Sequence, residues 1–276
     1  FYNNSVVRSN KVYGKFYGYY ANSIIGTTSS RALIANNEVV VLQSNSNSCY
    51  GLYSVSNQYL DIFHNSIFTM NPQASSGYTV YTFYNGSSSY TTVRNNIFRD
   101  SSSSSSNTYA AYLMTGTGTT YDYNNYFVHT TSSRIAYHSS YGAFPRTSFN
   151  TFRNSSYGGA NSVNINPNWR SQYDLNHNNL SLNTGWNLIS VVPQDINGRS
   201  RTTTVTLGSV EYKQVPNDAG VSQIVSNPPC FGVSNVSVTL SNYGTNTLTS
   251  AVINWSINSV AQTPFNWSGS ISPNSS

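Results

Sequence analysis

The sequence predicts an all-β protein, in which a parallel β-helix precedes a shorter antiparallel β-sandwich. Three observations predict it. Ser, Asn, Thr and Tyr dominate the chain, so residues of high helix propensity are few. A regular repeat runs through the first half, and the pattern changes near residue 215. We therefore expect two domains, a β-helix over residues 1–214 and a second module over residues 215–276.

The composition indicates a folded protein with a polar surface and argues against a nucleic-acid partner or a membrane span. Only 8% of the 276 residues are charged and 38% are hydrophobic, which indicates a folded core beneath a polar, uncharged surface. The net charge is +5, but the basic residues form no cluster, so we expect no nucleic-acid partner. There is no run of about twenty apolar residues, so we expect no membrane span in this segment. Cys49 and Cys230 define neither a disulfide framework nor a metal-binding spacing.

Asparagine followed by apolar residues recurs along the chain. The occurrences begin at Asn3, Asn22, Asn36, Asn65, Asn95 and Asn124. From the third onward the intervals are 29, 30 and 29 residues (65 − 36, 95 − 65 and 124 − 95). The two earlier intervals, 19 and 14 residues, are irregular. The N-terminal part therefore contains either a broken coil or a coil whose equivalent residue lies elsewhere.

Each repeat divides into three strand-like runs separated by Ser, Asn and Gly turns. The four repeats read NNEVVVLQ, YGLYSV and YLDIFH; NSIFTM, YTVYTFY and YTTVR; NNIFRD, YAAYLM and TTYDY; and NNYFVH, RIAYH and SFNTFR. Short runs without a helical period predict coils of three strands that stack into a solenoid. A propeller would need four strands and about 40 residues per blade. Chance pairs in low-complexity sequence do not explain three near-equal intervals.

The recurrent asparagine has a structural explanation in such a stack. Asparagine tolerates the left-handed backbone of a tight turn. Its amide can also bond the asparagine of the coils above and below. We therefore predict a structural asparagine ladder through Asn36, Asn65, Asn95 and Asn124. Such a ladder holds the fold together and carries no chemistry.

The end of the solenoid carries a series of motifs. The motif positions are Pro167, Trp169, Asp174, Leu175, Asp195, Gly198, Arg201, Leu207, Gly208, Glu211 and Tyr212. In this order they resemble the closing segment of secreted right-handed parallel β-helix proteins of Bacteroidetes-type bacteria. The chain departs from that pattern at Asn176, Asn197 and Ser209, where His, Asp and Ala are usual. The resemblance implies a right-handed solenoid, which the general preference of β crossovers also favours. It also implies an extracellular protein, either secreted or held at the cell surface.

The composition changes after the linker KQVPND. Apolar residues alternate from Val236 to Leu240 and again from Ile253 to Ile257, with the turn NYGTN between them. Alternation of this kind predicts an antiparallel β-sandwich. The stretch resembles the Ig-like modules that follow such solenoids in adhesins. Residues 215–276 are too few for a whole Ig-type domain of about 100 residues, so we expect an incomplete module and a longer parent chain.

The acidic residues do not form a catalytic pattern. A lyase needs carboxylates that hold Ca²⁺ beside a base, and a glycosidase needs two carboxylates about 5 to 10 Å apart. On a β-helix such groups come from equivalent places on adjacent coils. Glu38, Asp61, Asp100 and Asp122 occupy four different places relative to the first Asn of each coil. We therefore expect no catalytic residue, no cofactor and no metal site.

The loop DINGR at Asp195 has two interpretations. It is either a turn pinned by a bond between Asp195 and Arg199 or Arg201, or a Ca²⁺ loop. The second interpretation is weakened because Asn197 replaces a carboxylate.

An aromatic stretch, VYGKFYGYY at residues 12–20, is the candidate binding surface. Strict alternation places Val12, Phe16 and Tyr20 on the core face. It leaves Tyr13, Lys15, Tyr17 and Tyr19 exposed, which suits stacking on sugar rings with a cation nearby. The alternative is that these tyrosines cover the side of the solenoid or meet another subunit.

The leading hypothesis is a non-catalytic, adhesive or structural segment of a large secreted or cell-surface protein, with polysaccharide as its partner. One alternative is a carbohydrate-active β-helix enzyme, a lyase or a hydrolase, whose catalytic coils lie outside this segment. Another is a filament or assembly subunit.

Overall fold

Three sheets account for the strands of the first part of the chain. The computed structural model describes residues 5–44, 47–74, 77–103, 107–114, 116–177, 179–212, 215–226, 236–273 and 275–276. The first sheet contains β1 (Val6–Arg8), β4 (Ala32–Ala35), β7 (Leu60–Phe63), β10 (Thr92–Arg94) and β13 (Thr120–Asp122). The second contains β2 (Lys11–Gly14), β5 (Glu38–Leu42), β8 (Ser66–Met70), β11 (Ile97–Asp100) and β14 (Asn125–Val128). The third contains β3 (Tyr17–Asn22), β6 (Cys49–Val55), β9 (Val80–Gly86), β12 (Thr108–Leu113), β15 (Arg134–His138) and β16 (Gly142–Pro145).

The pairing within these sheets is parallel, except that β16 returns antiparallel to β15. The first part is therefore a parallel β-solenoid of about four turns, and this prediction is confirmed. The chain divides into two compact units, Phe1–Tyr212 and Lys213–Ser276. The boundary predicted from the sequence lies two residues further on.

The interior of the solenoid is apolar because alternate residues of each strand point inward. In the second sheet Val39, Ile67, Phe98 and Tyr126 follow one another from strand to strand and are fully buried. The Phe98 ring stacks between Tyr126 and Phe83, whose ring centroids lie 5.6 and 4.7 Å away. Each large side chain buried in this way contributes about 1.5–3 kcal/mol to stability.

The first turn is regular, although the spacing of the asparagines there is not. β1, β2 and β3 pair in register with β4, β5 and β6. The residue equivalent to the later asparagines is Asn10, which precedes β2, whereas Asn22 ends β3. Asn3 lies outside the described residues. The irregular intervals therefore came from aligning the wrong asparagines.

The last predicted strand run, SFNTFR, is wrong. It contains a short helix, α1 (Phe149–Arg153), which follows a 3₁₀ turn at Arg146–Ser148. Phe152 in α1 is fully buried and packs edge-on against Tyr126, at 5.2 Å, and beside Phe144, at 5.3 Å. A helical turn lets this phenylalanine cover the apolar end of the stack, which another strand at this place would have left open.

The closing segment (residues 165–212) lies along the outer face of the second sheet. Its structure is mostly irregular, with one 3₁₀ turn at Leu180–Leu182. Its apolar side chains form a second core with the outward residues of the sheet; the members are Val40, Phe68, Ile97, Trp169, Leu175, Leu182 and Leu207. The motif-bearing stretch of the sequence thus covers the second sheet, and Val192 extends this cover to Ala35 and Phe63 of the first sheet.

The second unit is also built from β-strands. β17 (Ala219–Ser226) pairs antiparallel with β18 (Val236–Asn242), and β19 (Leu248–Ile253) pairs antiparallel with β22 (Phe265–Ile271). A small hairpin joins β20 (Ser256–Ile257) to β21 (Val260–Ala261). Across the described parts of both units, no helix has the length and apolar character that a membrane crossing requires.

Candidate functional site

Four strands of the third sheet carry the same tyrosine pattern. YGYY at Tyr17, YGLY at Tyr50, YTFY at Tyr81 and YAAY at Tyr109 each place two tyrosines three residues apart. The parallel register aligns them into two columns. One column is Tyr17, Tyr50, Tyr81 and Tyr109, and the other is Tyr20, Tyr53, Tyr84, Tyr112 and Tyr137. We call these nine residues the tyrosine array.

Residues three apart normally point to opposite faces of a strand. In the pairs at Tyr50, Tyr81 and Tyr109 both tyrosines point outward and the two residues between them are buried, as with Gly51 and Leu52. The pairing skips Gly51, so the strand bends there. A Cβ atom on Gly51 would collide with the backbone carbonyl oxygen of Thr82, which explains the absence of a side chain at this position.

The rings of the array form a herringbone. Within a column they stack nearly parallel, with centroids 4.4 Å apart for Tyr112 and Tyr137 and 4.6 Å apart for Tyr53 and Tyr84. Within a strand they meet edge to face, at 86° for Tyr50 and Tyr53. Both geometries are favourable for aromatic pairs and contribute about 0.5–1.5 kcal/mol each. The array is therefore a rigid, preorganised surface.

Most ring faces in the array are covered by the next ring. Solvent therefore meets ring edges and hydroxyl groups along most of the surface. Tyr17 and Tyr20 lie at one end and are the most exposed members, at 44% and 57%. Burial raises the pKa of Tyr50 and Tyr53, and raises that of Tyr112 to about 12. These hydroxyl groups consequently remain protonated hydrogen-bond donors at neutral pH.

The structure separates the four residues of the predicted binding stripe. Tyr13 and Tyr17 belong to different sheets, because the chain turns a corner between Gly14 and Tyr17. Tyr13 contacts the closing segment, where its hydroxyl donates to the backbone oxygen of Tyr173 at 3.0 Å. Lys15 lies at the corner and is exposed. The prediction of a single stripe is wrong, since alternation does not continue through a corner.

Three other residues of that stretch also differ from expectation. Tyr19 is half-buried, packs against the core and donates a hydrogen bond to the Asn37 Oδ1 at 3.2 Å. Phe16 and Tyr20, which the alternation placed on the core face, are 48% and 57% exposed. Of the predicted residues, Tyr17 alone belongs to the tyrosine array. The repeated Y-x-x-Y pattern was the sequence signal that would have found the other eight.

A continuous asparagine ladder runs through the corner between the first and second sheets. Each Nδ2 donates to the Oδ1 of the next member, at 2.9 to 3.0 Å, and the members are Asn10, Asn37, Asn65, Asn96 and Asn124. Each Oδ1 from Asn37 onward also accepts the backbone N–H of the preceding member. Asn65 and Asn124 lie in the ladder at the predicted positions. Asn36 and Asn95 do not, because the second residue of each pair takes the ladder position.

Asn36 and Asn95 have a different role. Both adopt left-handed backbone, with φ of 56° and 59°, and His64 does so at the equivalent place. Asn95 bonds both backbone groups of Trp186, and Asn36 Oδ1 accepts from the Arg201 guanidinium at 2.7 Å. The first residue of each pair thus forms the turn and attaches the closing segment, while the second builds the ladder.

The carboxylates of the solenoid are engaged in structural bonds. Asp61 pairs with Arg31 at 2.7 Å, Glu38 with Lys11 at 2.9 Å, and Glu211 with Arg201 at 2.7 Å. The register places Glu38, Asp61, Asp100 and Asp122 in four different columns. Within the described ranges, no three His, Cys, Asp or Glu residues are placed to hold a metal ion.

The Asp195 loop is a turn held by backbone groups. Its carboxylate accepts from the backbone N–H of Asn197, Arg199 and Glu211, at 2.8 to 2.9 Å. The predicted bond between Asp195 and Arg199 is therefore present, and its donor is the backbone N–H of Arg199. Both oxygens of the Asp195 carboxylate therefore accept hydrogen bonds from backbone N–H groups, which stabilise an anion.

Of the two cysteines, Cys49 is free and fully buried, and burial raises the pKa of its thiol to about 12. Cys230 lies outside the described residues. Cys49 is therefore an interior packing residue.

No protein-family model, curated protein or solved structure matches this chain.

Proposed function

We propose that this segment is a non-catalytic adhesive module of a secreted or cell-surface protein, and that the tyrosine array binds polysaccharide. The observation that carries the proposal is the herringbone of nine tyrosines on one outer face of the solenoid. The right-handed, three-strand coils and the Ig-like nature of the second unit, inferred from the sequence, belong to the same proposal.

A regular polymer is the ligand that best matches this surface. The tyrosine hydroxyl groups recur along the array at the spacing of neighbouring strands, about 4.8 Å. Rows of donors and acceptors at a fixed spacing favour a ligand that itself repeats hydroxyl groups. The uncovered faces of Tyr17 and Tyr20 at the end of the array suit stacking on a sugar ring, as aromatic residues do elsewhere.

The low charge of the chain supports a neutral polysaccharide at the array. A cation lies at the end of one column of the array, where Arg134 pairs in register with Tyr109. The register aligns no carboxylate with the array columns. Binding would therefore depend on stacking and hydrogen bonding rather than on ion pairing, and it would persist at high salt.

The test is affinity electrophoresis and pull-down with neutral polysaccharides, followed by mass analysis of the polysaccharide. One variant combines Tyr17→Thr with Tyr20→Thr, and a second combines Tyr53→Thr with Tyr84→Thr. We expect each to weaken binding roughly tenfold, since two aromatic contacts of about 0.5–1.5 kcal/mol are lost. The matched control combines Tyr59→Asn with Tyr90→Asn, which are stacked at 4.7 Å outside the array.

Equal binding by the array variants and the control would refute the array as the binding surface. New reducing or unsaturated chain ends would instead favour the carbohydrate-active enzyme. The same flat aromatic face also suits pairing with a second copy, as a filament subunit would require. Sedimentation that depends on protein concentration, and that the Tyr17→Thr, Tyr20→Thr variant abolishes, would favour that function.

A further inference from the structure

Arg99 interrupts an apolar column on the outer face of the second sheet. In the parallel register its neighbours are Phe68 on one side and Phe127 on the other, and Val40 continues the column beyond Phe68. The repeats read VVVL, SIFTM, IFRD and NYFV at this place, so the arginine is the exception. Some interaction must therefore stabilise the charged side chain of Arg99 among its apolar neighbours.

Aromatic rings surround the guanidinium of Arg99. Its Cζ lies 5.5 Å from the ring centre of Phe68, 5.8 Å from that of Phe127 and 5.5 Å from that of Trp169. Contacts of this kind contribute about 0.5–2 kcal/mol each. They hold the guanidinium in place, and Nε donates to the Ser101 Oγ at 3.1 Å. The rings fix the orientation of the cation without neutralising it.

Within the described residues, no carboxylate forms an ion pair with Arg99. Asp100 follows it in the chain but points into the solenoid, where its carboxylate accepts from the Ser102 hydroxyl at 2.6 Å. A second cation lies close by, since Arg146 contacts the Phe127 ring at 5.3 Å and donates to the backbone oxygen of His129. Asp100 attracts the Arg99 guanidinium through space but forms no ion pair with it, so the cation can still pair with an anionic ligand.

Arg99 lines a cavity of about 390 Å³ between the second sheet and the closing segment. Its other walls include Phe68, Met70, His129, Trp169 and Gln172. A pocket with one fixed cation, aromatic walls and several polar groups fits a small ring that carries one acidic group.

We infer that this cavity binds a uronic acid residue of an acidic polysaccharide, with the guanidinium of Arg99 paired to the sugar carboxylate. Arginine presents two parallel N–H donors that match a carboxylate. Trp169 and Phe68 provide apolar surface for the sugar ring, and His129 and Gln172 provide partners for its hydroxyl groups. The site rests on the proposed carbohydrate role but lies on a different sheet from the tyrosine array.

The experiment is calorimetric titration of the 276-residue chain with trigalacturonate and, separately, with its fully methyl-esterified form. We expect the ester to bind at least about tenfold more weakly, because a charge-assisted hydrogen bond of about 1.5–3 kcal/mol is lost. Arg99→Met keeps the packing against the rings and removes the charge. It should reduce trigalacturonate binding by a similar factor.

The matched control is Arg94→Met, since Arg94 makes an equivalent contact with Trp186, at 5.6 Å, away from the cavity. It should leave trigalacturonate binding unchanged. Equal affinity for the acid and its ester overturns the proposal, as does an equal effect of the two arginine variants. Failure here is separable from failure of the tyrosine array, because the array is tested with neutral polysaccharides and with variants on the third sheet.

Discussion

Asn95 and Asn96 are adjacent in the chain, but their side chains bond different parts of the protein. The amide of Asn96 accepts from Asn65 and donates to Asn124, at 2.9 and 3.0 Å, in the buried part of the ladder. The amide of Asn95 pairs with the backbone N–H and oxygen of Trp186, at 2.8 and 2.7 Å. Asn96 therefore joins neighbouring turns of the solenoid, and Asn95 joins the closing segment to one of these turns.

These two roles predict different costs of substitution. Asn96→Ala leaves the buried backbone N–H of Asn65 without its acceptor and removes the bonds that the Asn96 amide donates, so we expect a loss of about 3–5 kcal/mol. Asn95→Gly keeps the left-handed turn and removes the bonds to Trp186 and to the His64 Nε2, so we expect about 1–3 kcal/mol. Guanidinium unfolding measures both. Asn150→Ala, on the exposed side of α1, should change stability by less than about 0.5 kcal/mol. Similar small values for all three would contradict the ladder.

Acid should destabilise the solenoid through two buried histidines. Burial lowers the pKa of His64 and lowers that of His177 from 6.5 to about 4. Asn95 Nδ2 lies 2.9 Å from the His64 Nε2, and Nδ1 lies 3.3 Å from the Gly208 oxygen, an arrangement that suits a neutral ring. Because the unfolded chain takes up protons first, stability is full above about pH 6.5 and falls toward pH 4.

The slope should approach roughly 1.4 kcal/mol per pH unit for each of these histidines. Unfolding free energies measured between pH 7.5 and pH 4 check it. His177→Gln should make the slope shallower, whereas His129→Gln, at an exposed position, should not. An unchanged slope in the first variant would rule out His177 as the titrating group.

Alkali should destabilise the tyrosine array. Burial raises the pKa of Tyr50 and Tyr53 above 10, and raises that of Tyr112 to about 12. The unfolded chain therefore loses these protons first, so stability is full below pH 10 and is lost as the pH rises toward 12. Tyrosinate absorbance should show a late-titrating group of tyrosines. Tyr112→Phe should remove part of this late phase, and a single phase centred near pH 10 in the native protein would contradict the expectation.

Replacing one interior carboxylate should stabilise the protein. Asp100 is fully buried, and burial raises its pKa. The charged carboxylate destabilises the folded protein. This destabilisation grows as the pH rises above 3.8 and reaches its full size above the raised pKa. We expect Asp100→Asn to gain about 1–3 kcal/mol at pH 7 and nothing at pH 3. Asp61→Asn, in a partly exposed pair with Arg31, should instead lose at most about 1 kcal/mol. Thermal unfolding at both pH values distinguishes these outcomes.

The repeat was readable from the sequence because stacking forces equivalent residues to recur at a fixed interval. This gave the parallel solenoid, the corner asparagines and two of the four ladder positions, Asn65 and Asn124. The sequence did not separate the turn residue from the ladder residue. In two turns asparagine holds the left-handed position, but in the others the residue there is Ser9, His64 or Tyr123.

The candidate site was harder to predict because it depends on local departures from the strand pattern. Strict alternation assigned Tyr19 and Tyr20 to the wrong faces, since the chain turns a corner after Gly14 and bends at Gly18. The bend is visible only when the strands are aligned. The helix α1 was not predicted for a related reason. It covers the apolar end of the stack, and the need for that cover depends on where the solenoid ends rather than on the local pattern.

The closing segment has a consequence for how the protein comes apart. Stacked coils that contact only their neighbours can unravel singly from either end. Here Trp186 is bonded to Asn95, Arg201 to Asn36, and Gly208 lies beside His64, so one segment is attached to several turns at once. Those turns must gain or lose their structure cooperatively. Under a pulling force the solenoid should therefore resist as a single block and yield only when the closing segment detaches.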